Sequence, residues 1–173
     1  MRSLALFFTL AALFAQSPRY GVGRTPSADE IKQWDITVMP DGTGLPEGSG
    51  AAASAKELYS ARCAKCHGAD LQGRDAQPLA GGQGTLTSAK PLKTIGSYWP
   101  YATTVFDYVN RAMPFDRPGT LTHDQVYSLT AYLLYRNGII SETTVLDRNS
   151  LPKIKMPNHD HFVKDPRPDV GKR

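Results

Sequence analysis

Both cysteines of this 173-residue chain lie in one short stretch, Cys63-Ala64-Lys65-Cys66-His67, in which a histidine directly follows the second thiol. Two thiols and an imidazole at this spacing are compatible with four kinds of chemistry: a disulfide, part of a zinc site, a redox-active dithiol, or the attachment point of a c-type haem. Each of these sites requires different partners elsewhere in the chain, so the rest of the sequence can discriminate among them.

Two of the four alternatives lack the partners that they need. A structural zinc site takes about four Cys or His ligands, and beyond the motif the chain offers only His123 at a predicted helix start and His159 and His161 in the C-terminal region. A thioredoxin-type dithiol follows a strand in a βαβ unit, whereas this pair ends a predicted helix. A disulfide remains compatible with an exported protein, although it leaves His67 unexplained.

The spacing C-x-x-C-H is the attachment motif of c-type haem. In this interpretation the thiols of Cys63 and Cys66 bond one haem covalently, and His67 binds its iron. The interpretation requires a second ligand downstream, in a loop before a final helix. Met113, followed by Pro114, lies at that position. A thioether there gives His/Met ligation, which leaves no open position for a substrate.

Other potential ligands lie in less suitable places. Met156 is the main rival of Met113, but it follows the last predicted helix. Met39 precedes the haem motif, and Met1 is lost with the predicted signal. His123 is the second residue of a predicted capping box, so we expect it to face solvent. Met113 is therefore the predicted second ligand of the iron.

Three helices are predicted to position these residues. An Ala-rich helix over 51–65 leads directly into the motif, and a second over 103–112 ends shortly before a proline. The third begins at the capping box Thr122-His123-Asp124-Gln125 and stops at Asn137-Gly138. The sequence thus predicts a small all-α core.

The first residues predict export. Arg2 precedes an uncharged apolar run that ends at Ala15, and this run is shorter than the roughly 20 residues that span a bilayer. A basic start, a short apolar segment and a small final residue are typical of a secretory signal over 1–15. An uncleaved membrane anchor is the alternative. We expect the mature protein to be soluble and periplasmic.

The remaining sequence divides into a domain between two irregular arms. Residues 16–50 are rich in Gly and Pro and form a predicted irregular extension, with one short helix capped by Thr25. Residues 51–140 form the predicted haem domain. Residues 141–173 carry prolines and many charges, and we expect them to lie extended over the surface or to be disordered.

Composition and charge argue against nucleic-acid binding. The chain is 40% hydrophobic and 21% charged, as ordinary globular domains are, and its formal net charge is +4. Acidic and basic residues are interspersed, and no Lys/Arg run or nucleic-acid motif is present.

The motif, the Met-Pro pair and the helix order together resemble class I cytochrome c over residues 51–138. The resemblance implies an all-α fold of three to four short helices around one covalently bound haem c. It also implies that Tyr59, in the helix before the motif, meets Tyr132 of the last helix where the two helices cross.

The same resemblance assigns further residues to the haem site. Pro78 stands where the family has a proline whose carbonyl accepts the Nδ1–H of the ligating histidine, a bond that fixes the tautomer of the ring. Tyr98 and Trp99 lie in a stretch that resembles the segment reaching the haem propionates.

The arms resemble those of cytochrome subunits of bacterial sulfur-oxidation enzymes, in the segments 21–26, 34–36, 40–50, 99–114 and 151–158. These subunits are the haem partners of molybdenum sulfite or sulfane dehydrogenases. The resemblance implies a single-electron carrier, without a catalytic site of its own, that accepts electrons from a molybdenum oxidoreductase and passes them to a downstream acceptor. A diffusible respiratory cytochrome and a haem enzyme or sensor with an open iron site are the alternatives.

Overall fold

A computed structural model describes residues 20–167, and the predicted signal segment 1–15 lies outside them. The chain forms two compact units, the first ending at Asp35 and the second beginning at Ile36. Within the described range, none of the helices combines the length and the apolar character that crossing a membrane requires.

The first unit contains one helix, α1 (Ala28–Trp34), none of whose residues is buried. Its cap is Ser27 rather than the predicted Thr25. The Ser27 side chain accepts from the Glu30 N–H, and the Glu30 carboxylate accepts from the Ser27 N–H. This reciprocal pair satisfies two N–H groups that a cap at Thr25 would leave unpaired, which explains the shift of the boundary.

The second unit contains the three predicted helical regions. The region predicted as one helix over 51–65 is divided into a 3-10 turn and two short helices that meet at Cys63. In chain order the elements are the turn Ala52–Ala55, α2 (Lys56–Arg62), α3 (Ala64–His67), α4 (Ala102–Ala112) and α5 (His123–Arg136).

Helix α5 has the ends that its sequence predicts. Thr122 and Gln125 form a complete capping box at its start, and Asn137 is its C-terminal cap, followed by Gly138 with φ +70°. Aromatic contacts join this helix to the others. The ring centroids of Tyr59 and Tyr132 are 5.2 Å apart, as the resemblance implied.

A short antiparallel strand pair joins the two arms of the second unit. Strand β1 (Ser49–Ala51) pairs with β2 (Val145–Asp147), with Gly50 opposite Leu146. Gly50 lies directly on α5, because a Cβ atom at this position would be 2.1 Å from the Ser128 hydroxyl. The strand pair therefore packs closely against the last helix.

The C-terminal segment differs from its prediction as a surface or disordered tail. Leu146 and Leu151 are fully buried, and Met156 is 1% exposed. Single apolar side chains spaced along a segment rich in proline and charge provide this burial, whereas averaged composition predicts disorder. Residues 146–158 of this segment contribute to the core of the second unit, whereas residues 159–167 are exposed.

Candidate functional site

The imidazole of His67 is oriented by the loop that follows it. Its Nδ1 lies 3.0 Å from the carbonyl oxygen of Gln77. Because a carbonyl can only accept, Nδ1 carries the proton in this bond, and the Nε2 lone pair is left to bind a metal. The hydroxyl of Tyr59 donates to the carbonyl of Gly68 at 2.9 Å and fixes the end of the motif.

The acceptor for His67 is Gln77, not Pro78 as predicted. The Pro78 ring packs against Gly73, where an added Cβ atom would be 2.9 Å from the Pro78 ring. A proline holds the preceding residue in an extended conformation, and the Gln77 carbonyl is thereby presented to the imidazole. Two further bonds close this loop on the motif, Gly73 N–H to the His67 carbonyl at 2.8 Å and Ala76 N–H to the Cys66 carbonyl at 2.9 Å.

The two cysteines are free thiols. Cys63 lies between α2 and α3 and is half-buried, and this burial raises the pKa of its thiol to about 11. Cys66 is exposed. Within residues 20–167 no three His, Cys, Asp or Glu side chains converge to hold a metal ion, so the structure gives the zinc alternative no support there.

Met113 caps the C-terminus of α4. Its N–H donates to the Val109 carbonyl at 3.1 Å, and its backbone is extended, at φ −120° and ψ 149°, as a residue before proline requires. Its side chain is half-buried against the core. The rival Met156 is 1% exposed and enclosed by protein, so of these two methionines Met113 is the one that retains surface for another group to contact.

Tyr98 and Trp99 are half-buried and held by neighbouring elements. Trp99 makes an edge contact with Tyr108 of α4, with centroids 5.8 Å apart. Tyr98 contacts Phe162 edge-on at 5.4 Å, and the Lys93 ammonium lies 4.8 Å from the centroid of the Tyr98 ring. Their approach to a haem stays a prediction.

Two contacts from the end of α5 to the motif loop were missed by the sequence analysis. Arg136 donates to the Tyr132 hydroxyl at 2.7 Å and pairs with Asp70, in the loop after the motif, at 3.2 Å. The Asn137 amide donates to the Leu79 carbonyl at 3.0 Å. A cation and an amide at the end of a helix are usual capping residues, and nothing in the sequence indicates that these two reach the motif loop.

The residues present fit a haem c. Two free thiols one helical turn apart, an imidazole with Nε2 available and an accessible thioether form the donor set that such a group requires. Half-buried apolar side chains pack on the same core and offer surface for a large apolar ring; they are Leu58, Ala64, Leu79, Ala80, Trp99, Leu121, Tyr135, Ile139 and Ile140.

Comparison with known proteins agrees with this chemistry. The cytochrome c family model matches residues 52–137. A chain of the sulfane dehydrogenase SoxCD from Paracoccus pantotrophus is similar over 89% of this chain and 76% of its own length, with 44% identity and a TM-score of 0.78. The chain belongs to the cytochrome c family. No curated protein matches it. This class I c-type cytochrome carries haem c attached through Cys63 and Cys66 and transfers electrons.

Proposed function

We propose that this cytochrome is the haem subunit of a periplasmic, molybdenum-dependent sulfite or sulfane dehydrogenase. The observation that supports this most is the extent of the similarity to the SoxCD chain, which covers 89% of this chain. The cytochrome c family model covers only residues 52–137. The similarity thus extends into the arms, which a haem domain alone does not need.

We propose that His67 and Met113 would bind the iron. The bond from Nδ1 of His67 to the Gln77 carbonyl supports the first assignment, because it leaves Nε2 unprotonated. The accessible thioether of Met113 supports the second. Pro78 supports His67 by fixing the turn that presents Gln77, and we propose that Tyr98 and Trp99 contact the haem propionates.

The haem supplies a reversible one-electron couple when bound. With His67 and Met113 both holding the iron, no position on the metal would remain for a substrate. The bonds that hold His67 and the motif loop restrain ligand movement during a change of charge. A transient contact with the downstream acceptor would bury less than about 1,200 Å².

The exposed apolar side chains of the first unit favour a stable subunit over a diffusible carrier. Helix α1 has no buried residue; Trp34 is 85% exposed, Ile31 52% and Val22 90%. Grouped exposed apolar side chains mark interaction sites in soluble proteins. A permanent partner that covers this segment explains why it retains them.

Co-purification tests the proposal. The full-length chain, with its predicted signal and an affinity tag, is expressed together with its neighbouring genes, and the periplasmic fraction is purified through that tag. We expect the haem-stained polypeptide in that fraction, eluting with the dehydrogenase in equal amounts and becoming reduced when sulfite or a sulfane substrate is added. A cytochrome that elutes alone and is not reduced would contradict the proposal.

Two matched variants test the role of the first unit. Val22 and Val163 are both 90% exposed, and each is replaced by Asp. We expect Val22→Asp to weaken co-elution and Val163→Asp to leave it unchanged, with the haem spectrum the same in both. Equal retention of the two variants would show that the first unit does not hold the partner.

A further inference from the structure

The segment that leads into β1 is fastened to α4 by side chains of that helix. The Val38 N–H donates to the Asp107 carboxylate at 3.0 Å, and the Thr103 hydroxyl donates to the Pro40 carbonyl at 3.0 Å. Asp107 is 6% exposed and is also paired with Arg111. Thr103 is 1% exposed. The bond between Val38 and Asp107 is buried and the bond between Thr103 and Pro40 is partly buried, which increases the cost of breaking them.

The C-terminal segment is fastened to the residues that begin the same helix. Tyr101, the residue before α4, forms an antiparallel bridge with Lys155. The Asn158 amide donates to the Tyr98 carbonyl at 2.8 Å, and Asn158 is 7% exposed. The 3-10 turn Leu151–Lys153 packs against α4, and Leu151 is fully buried.

Both sets of anchors come from outside the part of the chain that the family model matches, residues 52–137, and both hold the helix that ends at Met113. We propose that residues 36–40 and 151–158 clamp α4 and thereby keep the Met113 thioether from being displaced. Thr103, Asp107 and Asn158 are positioning residues in this clamp. The inference rests on the proposed function, in which Met113 is the second axial ligand.

The proposal compares two states of the protein, one in which the Met113 thioether binds the iron and one in which it is displaced. In this proposal the thioether is displaced together with the end of α4, because the Met113 N–H is bonded to the Val109 carbonyl of that helix. Each anchor that exists only in the undisplaced state lowers the population of the displaced state by about threefold to tenfold, the factor given by one typical hydrogen bond. Anchors on α5 remain intact in both states and have no such effect.

Imidazole titration of the oxidised holoprotein measures this population, because imidazole binds when the thioether is displaced. Thr103→Val and Tyr127→Phe are a matched pair. Each removes one hydroxyl that donates to a carbonyl of the N-terminal segment, Thr103 on α4 to Pro40 at 3.0 Å and Tyr127 on α5 to Pro46 at 2.9 Å. Urea unfolding of both variants checks that their global stability falls by similar amounts.

We expect Thr103→Val to increase the imidazole affinity about threefold to tenfold and Tyr127→Phe to leave it at the wild-type value. Asn158→Ala should match Thr103→Val, since it releases the other end of the clamp. Hydrogen exchange at the α4 amides should accelerate in the same two variants. Equal affinities in the matched pair, whether both unchanged or both increased, would overturn the clamp.

The ligation itself is tested separately. Met113→Ala removes the thioether that competes with imidazole for the iron. Imidazole should therefore bind this variant more tightly than it binds Thr103→Val or Asn158→Ala. If Met113→Ala instead binds imidazole with the wild-type affinity, the assignment of Met113 as ligand fails and the clamp is overturned with it. If Met113→Ala behaves as expected while the matched pair does not differ, only the clamp fails.

Discussion

The two sides of the haem site are built in different ways. On the His67 side the bonds that fix the imidazole and the end of the motif are local, since the imidazole bonds to a carbonyl ten positions away and Tyr59 bonds to Gly68 nine positions away. Arg136 and Asn137 add long-range support to the loop that follows. On the Met113 side the helix is held by bonds across 63, 69 and 60 positions, from Thr103, Asp107 and Asn158 respectively. A short motif can therefore specify the first side, whereas the second depends on both arms.

The largest expected effects separate the two methionines. Met156→Ala should lower the free energy of unfolding by about 2–5 kcal/mol because it empties a buried position, while the near-infrared sulfur-to-iron band of the oxidised protein persists. Met113→Ala should abolish that band, because it removes the proposed sulfur ligand of the iron. Urea unfolding and absorption spectra measure the two effects.

The reverse pattern, in which the band survives Met113→Ala and is lost in Met156→Ala, would place the ligand on the C-terminal segment. An oxidised wild-type protein without the band would indicate an open iron site and favour a haem enzyme or sensor.

A second substitution tests whether the His67 side is rigid because of its loop. Gly73→Ala forces a side chain into a position with φ +84° and 2.9 Å from Pro78. The backbone conformation alone costs about 1–3 kcal/mol for a residue other than glycine, and the contact adds to it. We expect a loss of stability together with a changed reduction potential, since the loop that presents Gln77 has to shift.

Gly84→Ala is the matched control for this change. Gly84 has φ +76°, but a Cβ atom there would have no neighbour within 4 Å, so the variant carries the backbone cost without the collision. Equal stabilities and unchanged potentials in the two variants would show that the contact between Gly73 and Pro78 does not position His67.

A third change concerns the end of the motif. Tyr59→Phe leaves the buried carbonyl of Gly68 without its 2.9 Å donor and should cost about 1–3 kcal/mol. Tyr132→Phe keeps the ring contact but loses only the bond from the partly exposed Arg136, so its cost should be smaller. Thermal or urea unfolding of the holoprotein compares them, and a larger effect for Tyr132→Phe would reverse this ranking.

The smallest effect is expected at Gln77. Its contribution to the site is a backbone carbonyl, and the side chain is exposed. Gln77→Ala should change stability by less than about 0.5 kcal/mol and leave the reduction potential unchanged. Pro78→Ala, which frees the turn, should move the potential. A potential that shifts in Gln77→Ala and not in Pro78→Ala would mean that the side chain, not the turn, orients His67.

The sequence predicted the local contacts better than the long-range ones. The haem attachment motif and both ends of α5 are local patterns, and the structure agrees with them because each depends on residues a few positions apart. The acceptor of His67 was predicted one residue too late, at Pro78 instead of Gln77, because the pattern shows the proline but not which carbonyl it turns inward. The cap of α1 was placed at Thr25 although Ser27 and Glu30 form the capping-box pattern.

The long-range contacts had no signal of this kind. Asp107 and Arg111 are one turn apart on α4 and indicate an ordinary surface pair, yet Asp107 is buried and binds Val38. In the C-terminal segment, prolines and charges outweigh three isolated apolar residues in any averaged composition, although Leu146, Leu151 and Met156 all enter the core. Whether such a side chain is buried depends on which other part of the folded chain packs against it, and the local sequence does not show this.

The strand pair β1–β2 has a consequence for the order of folding. It joins Ser49 to Asp147, and the neighbouring ion pair from Arg148 to Glu47 spans 101 positions. Closing so long a loop costs entropy that only preformed structure can offset. We expect the helices and the motif loop to form first, and the two arms to be joined last. Covalent attachment at Cys63 and Cys66 can then take place while the chain is still open at both ends.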